Sequence, residues 1–191
     1  SHDNKLYIFD KKYIYNNLEE AKNVPPLSEA IKVMEFPRQK RKPFRCIADF
    51  FANDRLDVVG FTLASAGLKI SDYEREFYDR GEFTKYYQVH GLGVELAEAL
   101  AEVLHKQIRL DWDIVPKEGH KLSDVQMKQY VGCRYSPGYA ACPELSQNRD
   151  IFDLLNPEEF GIELSETFQM HPEQTTCAIV VHNIEANYYN V

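Results

Sequence analysis

From Glu82 to about Arg109 the chain runs without a proline, and this feature limits the possible folds more than any other. Ala97, Leu100, Ala101, Leu104 and Ile108 recur at helical spacing on one side of the stretch, which predicts a long amphipathic helix. Glu95, Glu98, Glu102 and His105 fall on another side. A shorter helix is predicted just before it: Ser71 and Glu74 have the spacing of a capping box, and Gly81 marks the stop.

The segments on either side read mainly as strands. Lys5–Phe9 and Lys12–Tyr15 alternate aromatic and β-branched residues, which predicts two short strands around Asp10 and Lys11. Ala30–Phe36 reads as a strand ending at Pro37. Arg45–Phe51 and Asp57–Ser65 are short apolar runs of the kind found in buried strands, and are expected in the middle of a sheet. Ser123 with Gln126 opens a predicted short helix to about Tyr130, and Asp150–Leu155 suggests another. Glu166–Met170 and Thr176–His182 are expected to pair as a hairpin across Pro172-Glu173-Gln174. Strands first, helices in the middle and strands last predict an α+β fold: a mainly antiparallel twisted sheet with a long central helix and several short ones.

With 191 residues, 44% of them hydrophobic, the chain suffices for one substantial core. A net charge of -8 argues against broad binding to nucleic acid or anionic membranes. The basic run Arg38–Lys42 is local, either a solvated loop or a docking patch for an acidic partner. Cys46, Cys133, Cys142 and Cys177 are widely spaced without a C-x-x-C pair, so a reduced, cytoplasmic chain is expected, with neither a zinc knuckle nor a disulfide framework. No apolar run approaches the roughly 18 residues of a membrane span.

The stretch RYSPGYAACPELS, Arg134 to Ser146, carries the chemistry. Pro137 and Pro143 stiffen it, and Gly138 allows a positive φ or the close approach of another molecule. Its backbone can read the edge of a flat ring, with Tyr135 or Tyr139 on the ring face. Arg134 suits a ligand carboxylate or phosphate; alternatively it pairs with a carboxylate of this chain while the tyrosines fill the core. Glu98 can meet a ligand cation or simply form the wet face of the helix. Tyr188-Tyr189 can supply a stacking wall or edge-strand aromatics. Glu102-x-x-His105 has the spacing of di-iron ligands but occurs once, so no metal site is expected. The G-x-S-x-G, H-E-x-x-H, P-loop and Rossmann patterns are absent from the sequence.

RYSPGYAACPE resembles the arginine-x-x-x-glycine-tyrosine-x-x-cysteine-proline signature of the activation domain of cobalamin-dependent methionine synthase. FPRQKRKPFRCIADFF, DVVGFTLASAG, VELAEALAEVLH, IELSETFQMHPEQTT and NYYNV look like further segments of that family in the family's order. The resemblance implies a domain that binds S-adenosylmethionine and presents its methyl group to cob(I)alamin, restoring an oxidised methyltransferase of methionine biosynthesis. It makes Arg134 the partner of the ligand carboxylate. The backbone around Ser136, Gly138 and Ala141 would face the adenine, with Glu98, Tyr188 and Tyr189 near the ligand and Tyr139 near the opening toward the cobalamin. The implied partners are a cobalamin-binding domain and flavodoxin or another reductase. The protein's part is positioning, with no catalytic base or nucleophile of its own. One departure stands out: the family's additional acidic residue lies in an N-terminal aspartate-tryptophan segment, and Asp111-Trp112 follows the long helix instead. Residues 1–191 therefore read as a single domain, most of an activation domain without its N-terminal segment. The alternative reading is a non-catalytic docking module for the cobalamin domain or flavodoxin that has lost ligand binding.

Overall fold

The computed structural model describes residues 1–114 and 130–191. Its strands are β1 (Lys5–Ile8), β2 (Lys32–Glu35), β3 (Gly60–Ser65), β4 (Cys133–Tyr135), β5 (Glu163–Leu164), β6 (Met170–His171) and β7 (Thr175–Val181), and its helices are α1 (Leu18–Ala21), α2 (Leu68–Asp79), α3 (Phe83–Asp111) and α4 (Gln147–Leu155). The architecture is α+β, as expected, with every strand pairing antiparallel.

The centre is β7, whose TTCAIVV run is buried at every position but Thr176. A strand reads as a continuous apolar run when both faces are covered. β3 and β4 flank it, with Thr62 opposite Ala178 and Arg134 opposite Val180. Cys177, Ile179 and Val181 enter the main core with Met34, Phe36, Ile47, Phe50, Tyr135 and Ile151. Strand alternation sends Ala178 and Val180 to the other face, where α3 packs across β3 and β7. The strands β1 and β2 form a separate ribbon, with Leu6 opposite Met34.

The long helix is present, but its buried stripe differs from the predicted one. Gly93, Ala97, Ala101, His105 and Arg109 face inward, while Leu100 and Leu104 lie at the exposed edge. Small residues at i, i+4 let the helix backbone approach the sheet closely, and the leucines are displaced sideways. His105 thus leaves the side it was expected to share with Glu95, Glu98 and Glu102 and joins the interior.

Other expectations are also corrected. Lys12–Tyr15 is no strand: Asp10 accepts the Lys12 N–H at 2.9 Å and caps a 3-10 turn over Lys11–Tyr13. Arg45–Phe51 is likewise a buried 3-10 turn over Ile47–Phe50, because the Asp49 carboxylate takes the Cys46 N–H at 3.0 Å and holds the chain in a local turn. The strand within Asp57–Ser65 lies at one side of the three-stranded sheet, not in its middle. Ser71 does not open α2, whose N-cap is Gly67; instead its hydroxyl donates to Gln174 at 2.7 Å. The expected hairpin is split: β6 pairs with β5, and β7 with β3 and β4. The reason lies in Gln174, which is buried, donates to Glu74 at 2.8 Å and accepts the Ala66 N–H at its carbonyl, tying the turn inward to α2 and β3. The helix predicted from Ser123 lies outside the described residues. Among the described residues, no helix is long and apolar enough to cross a membrane.

At the end of β7, His182 Nε2 and Asp57 Oδ1 lie 2.8 Å apart, with the imidazole edge-on to Phe51 and Trp112. The bond to Asp57 raises the His182 pKa against the opposing effect of burial. Burial alone would raise Asp57, but hydrogen bonds from His182 and from the Ala52 and Val58 N–H groups outweigh it and bring it to about 2. A raised histidine pKa stabilises the fold below its unfolded value and loses that contribution as pH rises through the folded value; the depressed Asp57 pKa withdraws its own contribution only in acid. Urea unfolding should therefore show stability falling as pH rises past the ordinary histidine value of 6.5, less steeply in His182→Gln. Identical slopes in the two proteins would contradict a stabilising pair.

Candidate functional site

The site begins at two glycines. Gly132 has φ +90°, and a Cβ there would lie 2.5 Å from the Val181 carbonyl oxygen, so only glycine brings the chain into β4 beside the end of β7. From that entry the pleat directs Cys133 and Tyr135 into the core and Arg134 toward α3. Gly138, also at φ +90°, then turns the chain back. Its N–H donates to the Cys142 carbonyl at 2.8 Å, and the Cys142 N–H donates to the Tyr139 carbonyl at 2.9 Å.

The C-terminal segment lies across this turn. The Val191 N–H donates to the Ala140 carbonyl at 3.3 Å, and the Gln39 side chain holds the Asn190 carbonyl at 3.3 Å. The Tyr135 hydroxyl donates to the Asn187 carbonyl at 2.7 Å, while its ring stacks on Phe50. Tyr135 is therefore a core residue that anchors the C-terminal segment, while Tyr139 stands exposed on the turn.

Between α3, the turn and the C-terminal segment lies a cleft of about 500 Å³, within the size range of small-molecule sites. Arg134, Ser136, Tyr139, Ala141, Glu98, Tyr188 and Tyr189 all line it. Gly138 does not; it shapes the turn from behind. Burial raises the Tyr188 and Tyr189 phenols and pushes the Cys142 thiol up to about 12, so none of these groups is an anion at neutral pH. Among the described residues, the buried Tyr189 hydroxyl has no hydrogen-bond partner.

Arg134 is already engaged. Its Nη2 donates to Glu102 Oε1 at 2.6 Å and lies 3.9 Å from Glu98 Oε2. Both readings of this arginine meet here: it has a carboxylate of its own chain and also stands in the cleft wall. Glu102 was not among the residues expected in the site. The signal available was its i+4 spacing from Glu98, which puts both carboxylates on the same side of α3. Tyr130 adds its hydroxyl to Glu102 at 3.4 Å.

A larger cavity of about 740 Å³ lies at the N-terminal end, against Leu6, Tyr13, Ile14, Leu27, Phe61 and Leu154. Its walls are mainly aliphatic and aromatic, and none of the expected site residues lines it. Among the described residues, no group of three or more His, Cys, Asp or Glu is placed to hold a metal ion.

Comparison with known proteins gives concordant matches. The family model described as "Vitamin B12 dependent methionine synthase, activation domain" matches residues 11–191. Methionine synthase of Mycobacterium tuberculosis (strain ATCC 25618 / H37Rv) is 40% identical over 169 residues, covering 82% of this chain and 14% of the relative. Methionine synthase of Mycobacterium leprae (strain TN) is 39% identical over the same length and coverage. The chain thus spans a small fraction of these relatives. Among solved structures, the crystal structure of the MetH reactivation domain bound to AdoHcy matches with a TM-score of 0.84 and 26% identity, over 98% of this chain and 56% of that one.

The geometry of the entry to β4 is directly testable. Gly132→Ala should lower the urea midpoint, with backbone strain alone costing about 1–2 kcal/mol. Gly91→Ala, on α3 with open space around it, should raise stability by about 0.5–1 kcal/mol. Equal effects of the two substitutions would contradict the contact with Val181.

Proposed function

Because the chain belongs to the activation-domain family of vitamin B12-dependent methionine synthase, we propose that its cleft binds S-adenosylmethionine and presents the methyl group to cobalamin carried on a separate domain. The observation that carries this reading is the convergence of Arg134, the turn at 136–142, Glu98 and the tyrosine pair on one cleft. A relative in the same fold is an AdoHcy-bound reactivation domain, which supports an adenosyl ligand here.

The residues suit that ligand chemically. A guanidinium carries five N–H donors, and Arg134 commits Nη2 to Glu102, leaving donors for a ligand carboxylate. Among the described residues, the turn's own bonds use the N–H groups of Gly138, Tyr139 and Cys142 but not those of Ala140 and Ala141, which suits the edge of a purine. Glu98, half exposed at the mouth, attracts an ammonium or a sulfonium. Tyr139 and Tyr188 offer aromatic faces for stacking or for the cationic sulfur.

S-adenosylmethionine supplies a methyl group on a positively charged sulfur, and reduced cobalamin supplies the nucleophile. The chain's contribution is binding and orientation. None of Cys142, Tyr188 and Tyr189 serves as a nucleophile or base, since burial keeps each protonated. The partners in this reading are the cobalamin domain and flavodoxin or another reductase, in a cytoplasmic reaction of methionine biosynthesis. The isolated chain is expected to bind without turnover.

Calorimetric titration with S-adenosylmethionine and S-adenosylhomocysteine should give saturable one-to-one binding. Arg134→Ala should weaken it by about ten- to a hundredfold, the loss of a charge-assisted pair worth about 1.5–3 kcal/mol. Unchanged affinity in a folded variant would reject the carboxylate placement. If the unsubstituted chain bound neither ligand, the ligand-binding reading would fall and the docking module would replace it.

A further inference from the structure

Behind Arg134 lies a second arginine. Arg109 is 1% exposed and His105 0%, and among the described residues neither side chain has a hydrogen-bond partner for any of its nitrogens. Burying a charge without hydrogen bonds is costly, so such a group calls for an explanation. Arg109 lies 4.0 Å over the Tyr130 ring, His105 meets that ring edge-on at 5.1 Å, and the Tyr130 hydroxyl donates to Glu102. Glu102 and Arg109 are seven residues apart on α3, and helical side chains lean toward the N-terminus, which brings the Arg109 charge back toward Glu102.

The charges of this cluster do not cancel. Burial, then Arg109 and Arg134, hold the His105 pKa down to about 3, so the imidazole is neutral. What remains is two arginines against one partly buried carboxylate, Glu102, with Glu98 half exposed at the mouth. Were Arg109 absent, Glu102 would neutralise Arg134, and a second carboxylate on that guanidinium would meet a site with no positive charge in excess. We propose that Arg109 is a positioning residue for the ligand: it balances the charge of Glu102 through the Tyr130 link and so leaves the charge of Arg134 available to the carboxylate of an amino-acid-bearing ligand. This rests on the proposed adenosyl ligand and deepens it, assigning recognition of the amino-acid end to a pair of arginines and an internal glutamate.

The test compares S-adenosylhomocysteine with 5′-methylthioadenosine, which has no carboxylate, in calorimetric titrations of the chain. Arg109→Met removes a buried unpaired charge in favour of an apolar side chain of similar reach, so the fold should survive. It should weaken S-adenosylhomocysteine about tenfold, equal to about 1.4 kcal/mol, and leave 5′-methylthioadenosine unchanged. Adding Glu102→Gln to Arg109→Met should restore the lost affinity, because the positive excess returns. Glu102→Gln alone should bind S-adenosylhomocysteine at least as tightly as the unsubstituted chain. Wild-type affinity in Arg109→Met, equal losses of both ligands, no recovery in the double variant, or weakened binding in Glu102→Gln would each overturn the proposal. Failure of the unsubstituted chain to bind S-adenosylhomocysteine would reject the ligand itself, which separates the two outcomes.

Discussion

The contact between Arg134 and Glu102 joins the two layers on which the cleft depends. Arg134 sits on a three-residue strand held against β7, and Glu102 sits on the helix that covers the same face. The small side chains of Gly93, Ala97 and Ala101 let the helix lie close to the sheet, and Arg134 meets the helix at Glu98 and Glu102. A partly buried ion pair contributes to stability only when its geometry is good and its remaining donors are satisfied. Here part of the guanidinium is turned to the cleft, so the pair fixes the direction of Arg134 and leaves it able to hold a second anion.

The other wall is made by the chain's own end. The last residues are retained by backbone carbonyls: Asn187 by Tyr135, Asn190 by Gln39, with the Val191 N–H on Ala140. These contacts hold the backbone of the C-terminal segment, while the Tyr188 and Tyr189 rings pack against Tyr135 at the cleft. The loop that supplies Gln39 is braced by Arg38 on Asp49 and by Arg45 on Glu185. Part of the basic run thus serves the fold and reaches the site indirectly.

Much of this was legible in the residues. The proline-free stretch foretold α3, and the residues that the family resemblance grouped, the Arg134 loop, Glu98 and Tyr188-Tyr189, line one cleft. The misreadings share a cause. Asp10 and Asp49 turned two strand-like runs into 3-10 turns through single side-chain-to-backbone bonds, which periodicity does not register. The hairpin was lost because Gln174 is anchored to residues about a hundred positions away in sequence. His105 was grouped by spacing with Glu95, Glu98 and Glu102, away from the apolar side; that it and Arg109 are buried follows from what packs over them, and that information is tertiary.

The central claim is that Arg134 receives the carboxylate of an adenosyl ligand beside the turn at 136–142. A crystal structure of this chain with S-adenosylhomocysteine tests it most directly. The account predicts the ligand carboxylate at about 2.7–2.9 Å from the Arg134 guanidinium, with Arg134 still on Glu102 and the adenine against the turn backbone. A ligand seated in the larger N-terminal cavity, or lying in the cleft with its carboxylate on another residue, would contradict it.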